Sequence, residues 1–539
     1  MADSGGLLVS EERMRILVSD GLSPRGIEVL RSAGGLEVDE RRKLSPEALQ
    51  ECIDNYDALI VRSATKVTAP LLRAAHRLKV VGRAGVGVDN IDVEAATARG
   101  VLVMNAPSGN TLATAEHTFS LLLSLAKNIP QATASMKGGR WEKGAFLSVE
   151  LGGKTLGIVG FGRIGSEVAR RAKGFAMRVI VADPFVSEET ASAMGVELVE
   201  LPQLFQRSDF ITIHTPITPE TYHLIDRDTI AQMKTGVRIV NCARGGIVDE
   251  DALHEAMKAG KVAGAALDVF EQEPTTSSSL LTLNNFICTP HLGAASEEAQ
   301  ENVAVEIAQQ VVEYLQKGLI RNAVNAPSID PSLYKVLQPY LTLSEKLGRL
   351  ASQLAEGGIR QLRIDYRGEI AGYDPAPLTA SVVKGALDPF LGDEVNYVNA
   401  LALAKGRGIR IIESKVLEEA DYASLITVSI KGDRGTSEVA GTLFSRREPR
   451  VVRINEFRLE AIPEGYLLIF SNLDVPGVIG TIGTLLGKHQ VNIAGMQLGR
   501  AQPGGRAVSV VNVDNHVPAH VIDEIRRLPN IVFVKLVKV

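Results

Sequence analysis

The sequence predicts an α/β protein in which one doubly wound, parallel-sheet domain is inserted into another α/β domain, with two smaller segments following. Three observations carry this. Short, continuously apolar runs recur at spacings of roughly 20–30 residues, the repeat of β-α units. A glycine-rich loop, Gly160-Phe161-Gly162-Arg163-Ile164-Gly165, stands between one such run and a helical stretch. Past Asn325-Ala326-Pro327 the β-α repeat gives way to a different pattern.

At 539 residues the chain is too long for one core, and the usual domain size of roughly 100–200 residues suggests about three or four domains. Hydrophobic residues at 45% and charged residues at 22% are globular values. A net charge of -5 gives no basic footprint, so nucleic acid is not an expected partner, and small molecules or other protein chains are. Cys52, Cys242 and Cys288 lack CxxC spacing, which points to neither a disulfide framework nor a zinc cage and fits a reducing cytoplasm. Met1-Ala2-Asp3-Ser4-Gly5-Gly6 reads as a short frayed tail without the basic start and apolar core of a signal peptide. The apolar runs, such as Leu121-Leu122-Leu123, fall far short of the ~20 residues that span a bilayer.

In order along the chain, strands are expected at Arg15–Val18, Ala58–Val61, Lys79–Gly82 and Val101–Met104. Continuous rather than alternating apolarity means strands covered on both faces. A helix over 109–128 leads to further strands at Leu156–Val159, Arg178–Val181, Phe210–Ile213, Val237–Val240, Ala263–Ala266 and Phe286–Cys288, and a second helix follows over about 296–317. With these helices carrying the chain out and back, the cleft between the domains is the expected site. The last segment reads strand, helix after Pro476-Gly477, strand near Asn492, strand at Ala507–Val511, helix over about 518–527 and strand at Ile531–Val534. That βαββαβ order is ferredoxin-like.

Alone, a GxGxxG is as readily a glycine-rich turn. Here it directly follows the strand ending at Val159 and opens the helix through Val168 and Ala172, the context of a dinucleotide-binding loop. Gly160 allows the turn, Gly162 lets backbone approach a pyrophosphate, and Gly165 lets helix and strand pack. Asp183, ending the next strand, places a carboxylate where a ribose is bound and a 2′-phosphate repelled. NAD is therefore expected over NADP.

Three segments follow at later strand ends: Asn241-Cys242-Ala243-Arg244-Gly245-Gly246, Asp268-Val269-Phe270-Glu271-Gln272-Glu273-Pro274 and Thr289-Pro290-His291-Leu292-Gly293. Singly, Arg244 reads equally as a surface ion pair, Glu273 as a solvated acid and His291 as a core histidine. In that order, downstream of a dinucleotide loop, they resemble the D-2-hydroxyacid dehydrogenase family. The resemblance extends to Val61-Arg62-Ser63-Ala64-Thr65, Gly82-Arg83-Ala84-Gly85-Val86-Gly87-Val88-Asp89-Asn90, Asn105-Ala106-Pro107 and Gln131-Ala132-Thr133-Ala134-Ser135-Met136-Lys137.

This resemblance implies a doubly wound NAD-binding domain over 108–294, inserted in a flavodoxin-like substrate domain (1–107 and 295–327). It also implies an intermediate α+β domain over 328–460 and a ferredoxin-like ACT domain over 464–539. The activity implied is oxidation of D-3-phosphoglycerate with NAD, the opening of the phosphorylated route to serine. His291 would be the acid/base, Glu273 its orienting partner, and Arg244 the holder of the substrate's α-carboxylate. Val86, Arg163, Ile164, Asp183, Thr215, Pro216, Cys242, Asp268, Leu292, Gly293 and Ala294 would join the glycine loop and His291 at NAD, making Cys242 a pocket residue rather than a nucleophile. Arg62, Ser63, Val86, Gly87 and Asn110 would meet the phosphorylated substrate, with Arg83 a structural ion pair. No metal is implied. His214 would border the cofactor cleft and His117 would serve packing. Trp141, in Gly139-Arg140-Trp141-Glu142, would belong to an arm packed on a neighbouring subunit, giving a homodimer or homotetramer.

Asn472-Leu473-Asp474-Val475-Pro476-Gly477-Val478 and Val491-Asn492-Ile493 resemble the ligand edge of an ACT domain. Asn472, Asp474 and Asn492 would take L-serine, though a purely dimerising module is the alternative. The segment over 328–460 resembles the extra domain of the long form within the family, where an anionic effector or substrate binds. Arg446, Arg447, Arg450 and Arg453 would supply charge there, or simply form a solvated basic face. Two rival functions remain: another D-2-hydroxyacid dehydrogenase acting on glycerate or lactate, and a corepressor that uses NAD only to sense redox state.

Overall fold

The structure is a computed structural model that describes residues 13–418 and 421–539; the N-terminal tail at Met1–Gly6 lies outside the described residues. The first sheet is five-stranded and parallel, ordered Leu36–Glu40, Met14–Val18, Ala58–Val61, Val80–Arg83, Leu102–Asn105. That is the flavodoxin-like order. Every residue of Ala58–Val61 is buried, as a strand covered on both faces requires.

The second sheet is seven-stranded and parallel, ordered Phe286–Cys288, Val262–Leu267, Val237–Asn241, Phe210–Ile213, Thr155–Val159, Arg178–Ala182, Glu197–Leu198. The order reverses between Thr155–Val159 and Phe210–Ile213, and such a switch point opens a crevice at the carboxyl ends of the strands. Helices Thr111–Lys127 and Glu297–Lys317 carry the chain between the sheets. Ser296 caps the second of these by accepting from the Ala299 N–H at 3.1 Å, and Gly318 ends it with φ 69°.

The third sheet has six strands, ordered Arg410–Val416, Ile359–Gly368, Ser424–Gly432, Thr436–Phe444, Glu448–Ile454, Phe457–Ala461. Helices Pro331–Leu354 and Ala376–Leu391 pack on each other and bury Leu343, Leu347, Leu378 and Val382 in its core. The fourth sheet is antiparallel, ordered Ile493–Arg500, Arg506–Val513, Tyr466–Leu473, Ile531–Lys538, with helices Val478–Lys488 and Ala519–Arg527. The last two units are joined at a helix end. Lys535 Nζ donates to the carbonyls of Gln353, Leu354 and Ala355 at 3.2, 2.8 and 3.2 Å, which satisfies acceptors that helix Pro331–Leu354 leaves open. Asn396 Nδ2 reaches Gly100 O at 2.8 Å, tying the third unit to the first.

Candidate active site

Six of the seven strands of the second sheet lead at their carboxyl ends into loops that carry residues singled out from the sequence. The glycine loop follows Thr155–Val159 and opens helix Arg163–Gly174. Gly160 has φ 89°, and a Cβ there would lie 2.7 Å from His214 O; one on Gly165 would lie 2.2 Å from Gly160 O. Only glycine fits either position. A Cβ on Gly162 would meet nothing within 4 Å, so that face of the loop is open to a ligand. The helix start has no side-chain cap, which leaves its N–H groups facing outward.

Asp183 lies at the next strand end. Its Oδ2 accepts from Phe161 N and its Oδ1 from Phe185 N, both at 2.8 Å, so it fixes the loop it would share with a ribose. Beside the loop, Thr215 Oγ1 is buried without a partner, the signature of a group kept for a ligand, and Pro216 next to it is exposed. The open face, the free N–H groups and the orphaned hydroxyl fit a dinucleotide pyrophosphate. His214, at the same strand end, has a buried and unpartnered Nδ1, and burial pushes its pKa down to about 3, so it stays neutral.

The structure brings Arg244, Glu273 and His291 to one place. His291 Nδ1 and Glu273 Oε2 are 2.7 Å apart, and Glu273 Oε1 accepts from Phe270 N at 3.0 Å. The Glu273 bond raises the His291 pKa above its ordinary value against the opposing effect of burial. Burial alone would raise Glu273, but the His291 and Phe270 bonds outweigh it and hold the carboxyl below the usual range. His291 Nε2 is left for a ligand. Arg244 reaches across the cleft: its Nε donates to Asp89 Oδ2 at 3.0 Å and its Nη1 to Ala243 O at 2.7 Å. A Cβ on Gly87 would lie 1.9 Å from Arg244 Nη2, so glycine there is the condition of this approach.

On the other wall, Asp20 and Asn90 shape the loop carrying Arg62 and Ser63. Asp20 Oδ2 accepts from Arg62 N and Thr65 N at 2.7 and 3.1 Å, and Asn90 Nδ2 donates to Arg62 O at 2.8 Å. Ser63 is exposed. The Arg62 guanidinium makes only a 3.5 Å contact with Gly21 O. It faces a cavity of about 520 Å³ together with Arg42, which sequence reasoning missed. Val86 O accepts from Asn105 Nδ2 at 2.6 Å, and Asn110, at the start of helix Thr111–Lys127, has a buried Oδ1 with no partner.

Three expectations are corrected. Arg83 is not a structural ion pair: no carboxylate lies within 4 Å among the described residues, and its Nε is buried without a partner. Burial, then the charges of Arg244 and Arg62, push its pKa down to about 10. Asp89 and Asp20 offset part of that effect, so three guanidinium groups share this part of the cleft with two carboxylates. His117 is not mere packing, since its Nε2 lies 3.2 Å from Asp268 Oδ1 and 3.0 Å from Thr289 Oγ1. Of the four arginines expected to supply charge in the third unit, Arg450 and Arg453 are already paired, with Glu448 and Glu438, each at 2.7 Å. Arg446, 3.7 Å from Glu369, and Arg447 line a cavity of about 950 Å³ that lies away from this chemistry beside helix Pro331–Leu354.

Cys242 is buried, and burial pushes its thiol up to about 12, so it is no nucleophile. Its sulfur and donor atoms of His117 and Asp268 lie within 4.8 Å of one another. A metal would need the thiolate, and hydrogen bonds already occupy the other two groups. Arg163, Leu292 and Ala294 are exposed around the crevice, Ile164 packs against the core, and Gly293 is buried on Asp268.

The ACT-like set does not present a free carboxylate. Asp474 Oδ2 accepts from Arg500 Nη1 at 3.1 Å, and Asn492 Nδ2 donates to Asp514 Oδ2 at 2.7 Å. Asn472 is buried, bonded through Nδ2 to Leu473 O at 2.7 Å, with its Oδ1 unpartnered.

Fold and site together define a dehydrogenase that moves a hydride between a small 2-hydroxy acid and NAD. The family profile described as "D-isomer specific 2-hydroxyacid dehydrogenase, NAD binding domain" matches residues 119–293. The profile "D-3-phosphoglycerate dehydrogenase intervening domain" matches residues 336–455 and "ACT domain" residues 466–530. The D-3-phosphoglycerate dehydrogenase of Archaeoglobus fulgidus is 46% identical, covering 96% of this chain and 99% of that one. Those of Methanocaldococcus jannaschii and Bacillus subtilis are 45% and 43% identical, covering 96% and 97% of this chain and 98% and 99% of theirs. A D-lactate dehydrogenase from Aquifex aeolicus, solved with NAD and lactic acid, is 30% identical with a TM-score of 0.51, covering 58% of this chain and all of that one. The chain belongs to the D-3-phosphoglycerate dehydrogenase family.

Proposed function

We propose that this chain oxidises D-3-phosphoglycerate to 3-phosphohydroxypyruvate, the first step of the phosphorylated route to L-serine. The observation that carries this is the His291–Glu273 pair at 2.7 Å beside a cleft in which Arg244, Arg83 and Arg62 bring their charges together. A small acid with a carboxylate at one end and a phosphate at the other suits such a cleft; lactate, with one charge, leaves part of it unanswered. The names of the curated relatives support the same substrate.

His291 Nε2 takes the proton of the C2 hydroxyl, and Glu273 at Nδ1 fixes the tautomer and stabilises the imidazolium that forms. Bound NAD supplies the acceptor for the hydride leaving C2. Arg244 presents its fork to the α-carboxylate and polarises the developing carbonyl, while Asp89 steadies it from the facing domain. Arg62 and Asn110 meet the phosphate end.

The pH dependence follows from the sign of the His291 shift. Oxidation needs neutral His291, so kcat/KM falls as pH drops through its raised pKa, and reduction falls as pH rises through it. Glu273→Gln removes the largest raising cause. The acid-limb midpoint of the oxidation profile moves to lower pH, and a profile with an unmoved midpoint counts against the pair.

The substrate is tested by following NADH formation with D-3-phosphoglycerate, D-glycerate and D-lactate. Turnover of the phosphorylated acid is expected. Turnover of D-lactate or D-glycerate without it overturns the substrate, and NAD binding with no turnover of any acid supports the redox-sensing alternative.

The C-terminal unit is of the ACT class, a module that binds small-molecule effectors. L-serine is our candidate. With Asp474 engaged by Arg500, the uncapped start of helix Val478–Lys488 and the free Asn472 Oδ1 are the groups that would hold it. No helix is long and apolar enough to cross a membrane among the described residues, and we place the enzyme in the cytoplasm. Trp141 and Leu147, 81% and 86% exposed, sit on the arm after helix Ile129–Lys137; a second copy of the chain would cover them, as a homodimer or homotetramer requires.

A further inference from the structure

We infer that His117, on the helix connecting the two domains, is a positioning residue for the acid/base, acting through Asp268 and Thr289 on the turn that carries His291. The inference rests on the reading of His291 as acid/base.

The hydrogen bonds fix the direction of the network. Thr289 Oγ1 lies 2.5 Å from Asp268 Oδ1, which as a carboxylate can only accept. The threonine hydroxyl therefore spends its single hydrogen on Asp268, and toward His117 it too can only accept. His117 Nε2, 3.0 Å from Thr289 Oγ1 and 3.2 Å from Asp268 Oδ1, must carry a hydrogen and donate to both. The histidine is thus the outermost donor of a chain that ends on a fully buried carboxylate.

That carboxylate in turn holds the catalytic turn. Asp268 Oδ1 accepts from Leu292 N at 2.7 Å, Oδ2 from Gly293 N at 2.8 Å, and the Asp268 carbonyl from His291 N at 2.8 Å. Three consecutive N–H groups hang on one residue. They hold His291 at φ 56°, a left-handed conformation that a residue with a Cβ keeps only when its surroundings impose it. Burial favours protonating Asp268, and the donors from His117, Thr289, Leu292 and Gly293 overcome that and hold it ionised. Removing one donor weakens the charge on which the other bonds depend.

The helix adds a second contact. Thr114, one turn before His117, packs where a Cβ on Gly293 would touch it at 3.4 Å, so both residues press the connecting helix against the turn. Since that helix joins the domains, its contacts with the turn hold His291 in place opposite Glu273.

The test compares His117→Leu, which removes the donor, with His117→Gln, which keeps an N–H at similar reach, and with His291→Ala measured alongside. In the oxidation assay His117→Leu is expected to lower kcat by roughly 10–100-fold, the scale of an ångström-level misplacement. KM for substrate and the NAD dissociation constant stay within about threefold, and the acid-limb midpoint moves. His117→Gln restores kcat to within about threefold of wild type and returns the midpoint. Wild-type kcat and midpoint in His117→Leu overturn the inference. So does an equal loss in both variants accompanied by a lowered melting temperature, which marks packing alone. Activity retained by His291→Ala defeats the acid/base reading itself, whereas an inert His291→Ala beside a fully active His117→Leu defeats only the role of His117.

Discussion

Replacing His291 with alanine lowers turnover by about 10²- to 10⁴-fold, the contribution of a positioned acid/base, while NAD still binds. The loss is large because nothing nearby can take over. His117 is committed to Asp268 and Thr289, and burial holds the pKa of His214 at about 3, far too low to accept a proton at working pH. The Cys242 thiol, pushed up to about 12, cannot act as a base either. Cofactor binding survives because the glycine loop, Asp183 and Thr215 lie on other strand ends. Stopped-flow NADH formation with equilibrium NAD titration separates the two effects, and an alanine variant that keeps turnover removes His291 from the mechanism.

Arg244→Lys loses about 10²- to 10³-fold in kcat/KM, the scale for removing a donor that stabilises developing charge at a carbonyl. Lysine keeps the positive charge but not the planar fork that pairs with a carboxylate through two parallel bonds. It also loses the geometry that lets Arg244 contact Asp89 and pass over Gly87 at once. A loss confined to KM would show that Arg244 only binds substrate, and unchanged kinetics would place the carboxylate elsewhere.

Much of this molecule is legible because burial on both faces writes continuous apolarity into a strand. Ala58–Val61 and Phe210–Ile213 are fully buried and appear in the sequence with these same bounds. Leu36–Glu40 and Glu197–Leu198 escaped notice for the converse reason. Both are edge strands, the first with a single buried residue, so charged positions interrupt any apolar run. The glycine loop, Asp183, Arg244, Glu273 and His291 are legible as strand-end residues, since the crevice of a doubly wound sheet lies there.

What the sequence hid is contact between distant segments. His117 sits 151 positions from Asp268 and 172 from Thr289, and no local pattern announces either bond. The one signal was a polar group, Thr114, His117 and Thr118, on a helix that is otherwise largely apolar and buried. Arg83 was hidden likewise, because its distance from every carboxylate is a property of the folded cleft. The pairing of Arg450 with Glu448 differs: the two are only two positions apart, so a local reading could have found it, and the expectation of free charge there overlooked it.

The most direct test of the central claim follows the hydride itself. With D-3-phosphoglycerate deuterated at C2, the account predicts NADH carrying the deuterium at C4 of its nicotinamide, with 3-phosphohydroxypyruvate formed in equal amount. NADH formed without deuterium, or no NADH at all from an enzyme that binds NAD, would contradict it.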